Sequence, residues 1–67
     1  MAVKQNQVYA ELGGKKRYLR VEEVTDEEAT CRAGWRVRNG ISWSHRLPTF
    51  LLSVLADTTL FRLETDA

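Results

Sequence analysis

The side chains with the most chemical potential in this chain are its arginines. Arg32, Arg36, Arg38 and Arg46 fall within residues 29–47, with Ser42 and Ser44 between them, and Lys15, Lys16, Arg17 and Arg20 form an earlier basic block. A guanidinium is a rigid fork of donors that matches phosphate oxygens, and a serine hydroxyl adds a short donor. The chemistry these types offer is anion recognition. The other reactive pair is Cys31 and His45, the only cysteine and the only histidine. A thiolate beside an imidazole is the minimal nucleophile–base arrangement. The competing reading makes Cys31 a small buried hydrophobe and His45 a residue at the core rim. No third orienting group or oxyanion element is suggested nearby. One Cys and one His give no metal-ligand spacing. No catalytic residue, metal or cofactor is therefore expected.

The elements that must position these groups show in the alternation around Asn39-Gly40. Ala29, Cys31, Ala33, Trp35 and Val37 alternate with Thr30, Arg32, Gly34, Arg36 and Arg38, and Ile41, Trp43, His45 and Leu47 alternate with Ser42, Ser44 and Arg46. Period two on both sides of Asn-Gly signals a β-hairpin. A two-residue Asn39-Gly40 loop mixes core and surface residues on each face. A three-residue loop, Arg38-Asn39-Gly40, pairs Val37 with Ile41, Trp35 with Trp43, Ala33 with His45 and Cys31 with Leu47, and makes both faces consistent. That register is the expected one, with Gly40 in the left-handed conformation. It sets Arg32 opposite Arg46, a like-charge pair that costs stability unless an anion bridges it.

Each feature also has a plainer explanation. The arginines form either an anion-binding face, continued by Arg20 and Tyr18, or a solvated face salt-bridged to Glu11, Glu22 and Glu23, which contributes little. Four phosphate contacts would give a salt slope on the order of −3 to −4. The paired tryptophans are either an aromatic recognition surface or core filling. Asp26-Glu27-Glu28 is an acidic turn without the alternating ligands of a calcium loop. Phe50, Leu51, Leu52 and Leu55 are either a surface for a protein partner or self-association, or a helix plugging the open end of a barrel.

With 67 residues and a net charge of +1, the chain makes one small domain near the lower size limit for an unaided core. Nothing in it is apolar enough to span a bilayer or act as a secretory signal, and a lone cysteine fits a reducing cytoplasm. Residues 1–7 read as a polar, mobile lead-in, and 8–65 as the domain. Val8–Leu12 reads as a strand with Val8, Ala10 and Leu12 on one side. Arg17–Val24 is a second strand, with Leu19 and Val21 inward and a bulge near Glu22-Glu23 to restore its phase. After Pro48 the spacing of Phe50, Leu51, Val54 and Leu55 suits a short helix capped by Thr49, and Leu60–Glu64 is the last strand.

The segments QVYAEL, RYLRVEEV, ATCRAGWRV, LPTFLLSVL and LFRLE follow the order of the SH3-like barrel group, which includes KOW and Tudor modules. The opening strands are also similar to short proteins of actinobacteria and their phages. The resemblance spans roughly residues 6–65. It implies a mainly β, five-stranded SH3-like barrel with one short helix before the last strand. An open antiparallel meander with a helix packed across one face is the alternative. The expected function is a non-enzymatic binding module contacting nucleic acid or another polyanion through Arg20, Arg32, Arg36, Arg38 and Arg46, supported by Lys15, Lys16 and Arg17. The alternative is a protein-interaction adaptor, or a phage-encoded inhibitor of a host protein, acting through Phe50, Leu51, Leu52 and Leu55 and the acidic turn.

Overall fold

Alternating apolar and polar residues place most of the chain in extended backbone, as the computed structural model of residues 3–65 shows. Six strands and a single helical turn follow in order: β1 (Val8–Glu11), β2 (Tyr18–Val24), β3 (Glu28–Val37), β4 (Gly40–Trp43), β5 (Thr49–Leu51), α1 (Leu52–Leu55) and β6 (Phe61–Thr65). All pairings are antiparallel, in the order β4-β3-β2-β1-β6, with β5 also on β3 beyond β4. The domain is therefore mainly β with one short helix before its last strand. The sheet does not close into a barrel. Between β5 and β6 the contact is made by side chains, with the Phe50 and Phe61 rings edge to face at 5.6 Å, and not by a hydrogen-bonded ladder. The strand beyond the five expected is β5, the segment expected to open the helix: Thr49–Leu51 pairs with Glu28–Thr30, so Thr49 is not an N-cap.

The bulge expected in β2 is present, between Val21 and Glu23. It keeps Leu19 and Val21 fully buried, with half-buried Val24 packed against the same core. In β1 the inward residue is Tyr9, which pairs with Leu19, so Val8 and Ala10 lie on the opposite face and Leu12 is exposed. Tyr9 wins because its hydroxyl reaches the buried Gln7 Oε1 at 3.0 Å, which satisfies the polar end of a large ring. Residues 3–7, read as a mobile lead-in, are tied to the β2 bulge. The Asn6 N–H donates to the Val21 carbonyl, the Val21 N–H to the Gln7 carbonyl, and Gln5 Nε2 to the Glu22 carbonyl. Residues 1 and 2 lie outside the described residues.

The hairpin departs most from expectation. Val37 pairs with Gly40, Arg36 with Ile41, Trp35 with Ser42 and Gly34 with Trp43. The loop is thus the two residues Arg38 and Asn39, and Gly40 returns into the strand with φ +137°. One step of register moves every β4 side chain to the other face. Trp35 and Trp43 therefore lie on opposite faces of the sheet and do not meet. The physical reason is Gly34. A Cβ there would lie 2.6 Å from Trp43 Cε3 and 2.8 Å from Ile41 Cγ2, so the missing side chain leaves the space they occupy. Beyond Trp43 the chain arcs around Ala33, which accepts from the Ser44 N–H and donates to the Arg46 carbonyl, and Cys31 donates to the Pro48 carbonyl. Cys31 is accordingly not paired with Leu47, nor Arg32 with Arg46.

Candidate nucleic-acid interface

Six of the eight basic residues fall into two groups on opposite faces, Arg20, Arg32 and Arg36 on the outer face and Lys15, Arg17 and Arg46 on the inner. Arg20 and Arg32 are directly paired on the outer face, a like-charge juxtaposition that costs stability if left alone. Glu22 resolves it, with Oε2 2.8 Å from Arg20 Nε and Oε1 3.5 Å from Arg32 Nε. The Arg20 hydrogen bond, helped by the charges of both arginines and opposed by burial, holds the Glu22 carboxyl below its ordinary range. The Arg20 guanidinium also lies over the Trp43 ring, 4.8 Å from its centroid. Arg32 Nη1 donates to the Ser44 carbonyl at 2.9 Å. Arg36 donates to the Tyr18 hydroxyl from Nε at 3.0 Å and Nη2 at 2.7 Å. The outer arginines are thus engaged within the fold, Arg20 and Arg32 by a carboxylate as the salt-bridged reading has it and Arg36 by a hydroxyl instead, and no anion is needed to hold Arg20 and Arg32 together. Arg38 stands exposed at the hairpin tip.

The inner face is different. Beyond the core, β3 carries Trp35 and Val37 outward into solvent, 40% and 48% exposed. The β1–β2 loop brings Lys15 and Arg17 to the same side, and the arc after β4 brings Arg46, Leu47 and Pro48. Ala33, Trp35 and these loop residues, without Val37, line an open groove of about 410 Å³, within the ~300–1,000 Å³ range of small-ligand sites. Glu11 clasps Arg17 in bidentate fashion, Oε1 to Nε and Oε2 to Nη2, each at 3.2 Å. That hydrogen bonding, with burial opposing it, lowers the Glu11 pKa and makes Arg17 a fixed, neutralised wall. Among the described residues Lys15 and Arg46 make no salt bridge. Lys16, between Lys15 and Arg17 in sequence, does not line the groove and stands in the left-handed region at φ 54°.

The remaining candidates take other places. Cys31 is fully buried while His45 is exposed. Burial, and next the Glu22 charge, push the thiol pKa up to about 11, so the thiolate is scarce at neutral pH. Leu55 lies inside the core, Phe50 and Leu52 pack against it half-buried, and Leu51 alone of that set is exposed. The helical turn packs Leu55 into the core with Leu52 and Val54 against it, and its first N–H donates to the Glu27 carbonyl at the acidic turn. Among the described residues no group of three or more His, Cys, Asp or Glu could hold a metal, and no helix is long and apolar enough to cross a membrane.

Arg46 and the 15–17 block were visible as charges in the sequence, but their convergence on Trp35 was not. It depends on the hairpin register and the arc at Ser44–Arg46. Leu47 and Pro48 as groove walls carried no sequence signal beyond the break in alternation at Pro48. No protein family matches the chain, and searches of curated proteins and of solved structures find no match.

Proposed function

We propose that this protein is a non-enzymatic binding module for nucleic acid or another polyanion, and that its contact surface is the inner groove, not the outer arginine face. The observation that carries this reading is the pairing of two cations free of salt bridges, Lys15 and Arg46, with a 40% exposed tryptophan in one concavity. An exposed indole on so small a domain is apolar surface withheld from the core. Flanking it with positive charge held in no salt bridge suits a ligand that is both flat and anionic. The strand order and the helical turn before β6 support an SH3-like module left open between β5 and β6. The reduced, buried Cys31 is in keeping with a cytoplasmic protein.

The test is a titration with labelled oligothymidylate and labelled heparin at two salt concentrations. Two phosphate contacts on a single strand give a slope of about −1.4, or roughly sevenfold weaker binding between 50 and 200 mM salt. The Lys15→Ala/Arg46→Ala double variant should lose most binding, while Arg20→Ala/Arg36→Ala keeps it. Absence of binding to either polyanion at low salt, or the reverse pattern of variants, overturns the proposal.

A further inference from the structure

We propose that the groove takes single-stranded nucleic acid without sequence preference, one base stacking on the Trp35 indole while neighbouring phosphates sit on Lys15 and Arg46. The inference rests on the groove reading above and names its ligand. Of the two indoles, Trp43 is covered by the Arg20 guanidinium at 4.8 Å, whereas Trp35 is left open. Ala33, small and buried, lies beside it in the lining, and Leu47, itself 49% exposed, adds apolar wall. A ring so placed can receive an unstacked base. A duplex keeps its bases stacked and offers the groove only backbone, so it forgoes the indole.

Sequence tolerance follows from what the lining lacks. Among the described residues no carboxylate, amide or hydroxyl side chain lines the groove; its polar groups are the cations Lys15, Arg17 and Arg46 and the Trp35 indole N–H, all donors. With donors alone and no acceptor the groove reads at most a guanine edge, and Lys15 and Arg46 are assigned to phosphate, while stacking accepts any base because each has a π-face. An acidic peptide is the competing occupant. An extended peptide gains affinity by adding a strand to a free sheet edge, but β4 and β5 cover one side of β3, and on the other the pairing with β2 reaches Gly34 and leaves only Trp35–Val37, a short edge for strand addition.

The experiment titrates the full chain with fluorescein-labelled oligothymidylate, a duplex of equal length, heparin and poly-glutamate. It compares wild type, Trp35→Ala and Trp35→Phe by anisotropy, and follows indole quenching in Trp43→Phe, where Trp35 is the sole tryptophan. Expected are tighter binding to single strand than to duplex, saturable Trp35 quenching, and a loss of about 5- to 150-fold in Trp35→Ala. Trp35→Phe should recover most of that loss, and heparin affinity should not change with the ring. Heparin and duplex binding as tight as the single strand, with no effect of Trp35→Ala, overturns the stacking inference and leaves the polyanion groove standing. Poly-glutamate displacing the oligonucleotide at lower concentration assigns the groove to acidic peptide and also overturns it. No binding by any polyanion defeats both readings together.

Discussion

Replacing Gly34 by alanine should destabilise the fold, although nothing about the glycine's own backbone demands it. Gly34 is not in the left-handed region, so alanine there gains roughly 0.4–1 kcal/mol from the stiffer unfolded chain. Against that stands the close approach of the outer face. The new methyl carbon would meet Trp43 Cε3 at 2.6 Å, Ile41 Cγ2 at 2.8 Å and the Ser42 carbonyl oxygen at 3.0 Å. Overpacking of this kind costs about 1–3 kcal/mol. The indole cannot move freely, because Arg20 is stacked on it, a contact worth about 0.5–1 kcal/mol at a partly exposed site. The steric and stacking losses exceed the entropic gain, leaving a net loss of about 1–3 kcal/mol. For a domain of this size that lowers Tm by about 5–20 °C. Thermal and urea unfolding followed by circular dichroism read it directly. In a Trp43→Ala background the same substitution should cost less, since the nearest obstacle is gone. A Gly34→Ala protein within about 0.5 kcal/mol of wild type, or an equal cost in both backgrounds, would refute the reasoning and the hairpin register with it.

Three further outcomes follow from the same packing. Glu22→Gln leaves Arg20 and Arg32 facing each other and should cost about 1 kcal/mol at neutral pH. Because the folded Glu22 pKa lies below its unfolded value, that advantage is whole above about pH 4.3 and fades as pH falls through the lowered value. A gap between wild type and variant that widens on acidification would contradict the bridge. Cys31, with its pKa moved from an ordinary 9.0 to about 11, should have about 100-fold less thiolate than a free thiol and react with Ellman's reagent only as fast as the chain opens; prompt native labelling would disprove its burial. Gly40→Val, placed at φ +137°, should cost about 1–3 kcal/mol, and Asn39→Ala much less; equal urea midpoints for the two would argue against this turn.

Where local alternation was tied to burial, the sequence spoke plainly. Leu19 and Val21 face inward because Glu23 cannot, and the β2 bulge follows from that conflict alone. Phe61 and Leu63 share the inner face of β6 for the same reason. The hairpin misled because it extends past the core, where paired residues need not match in polarity. There the deciding element was an absent side chain, Gly34, whose space Trp43 fills; a pattern of residue types does not register a vacancy. Thr49–Leu51 is three residues long and reads equally as strand or helix. The candidate site inherited the error in register: Arg20, Arg32 and Arg36 do share the outer face, but Arg46, expected beside them, lies in the inner groove, and the engagement of the outer three with Glu22, Trp43 and Tyr18 required coordinates.

Which face meets the ligand is decided most directly by amide chemical-shift mapping of labelled protein titrated with oligothymidylate. The largest shifts should gather at Lys15, Arg17, Trp35 and Arg46, with the Trp35 indole N–H moving further than that of Trp43. Shifts concentrated instead at Tyr18, Arg20, Arg32 and Arg36 would return binding to the outer face and contradict the groove.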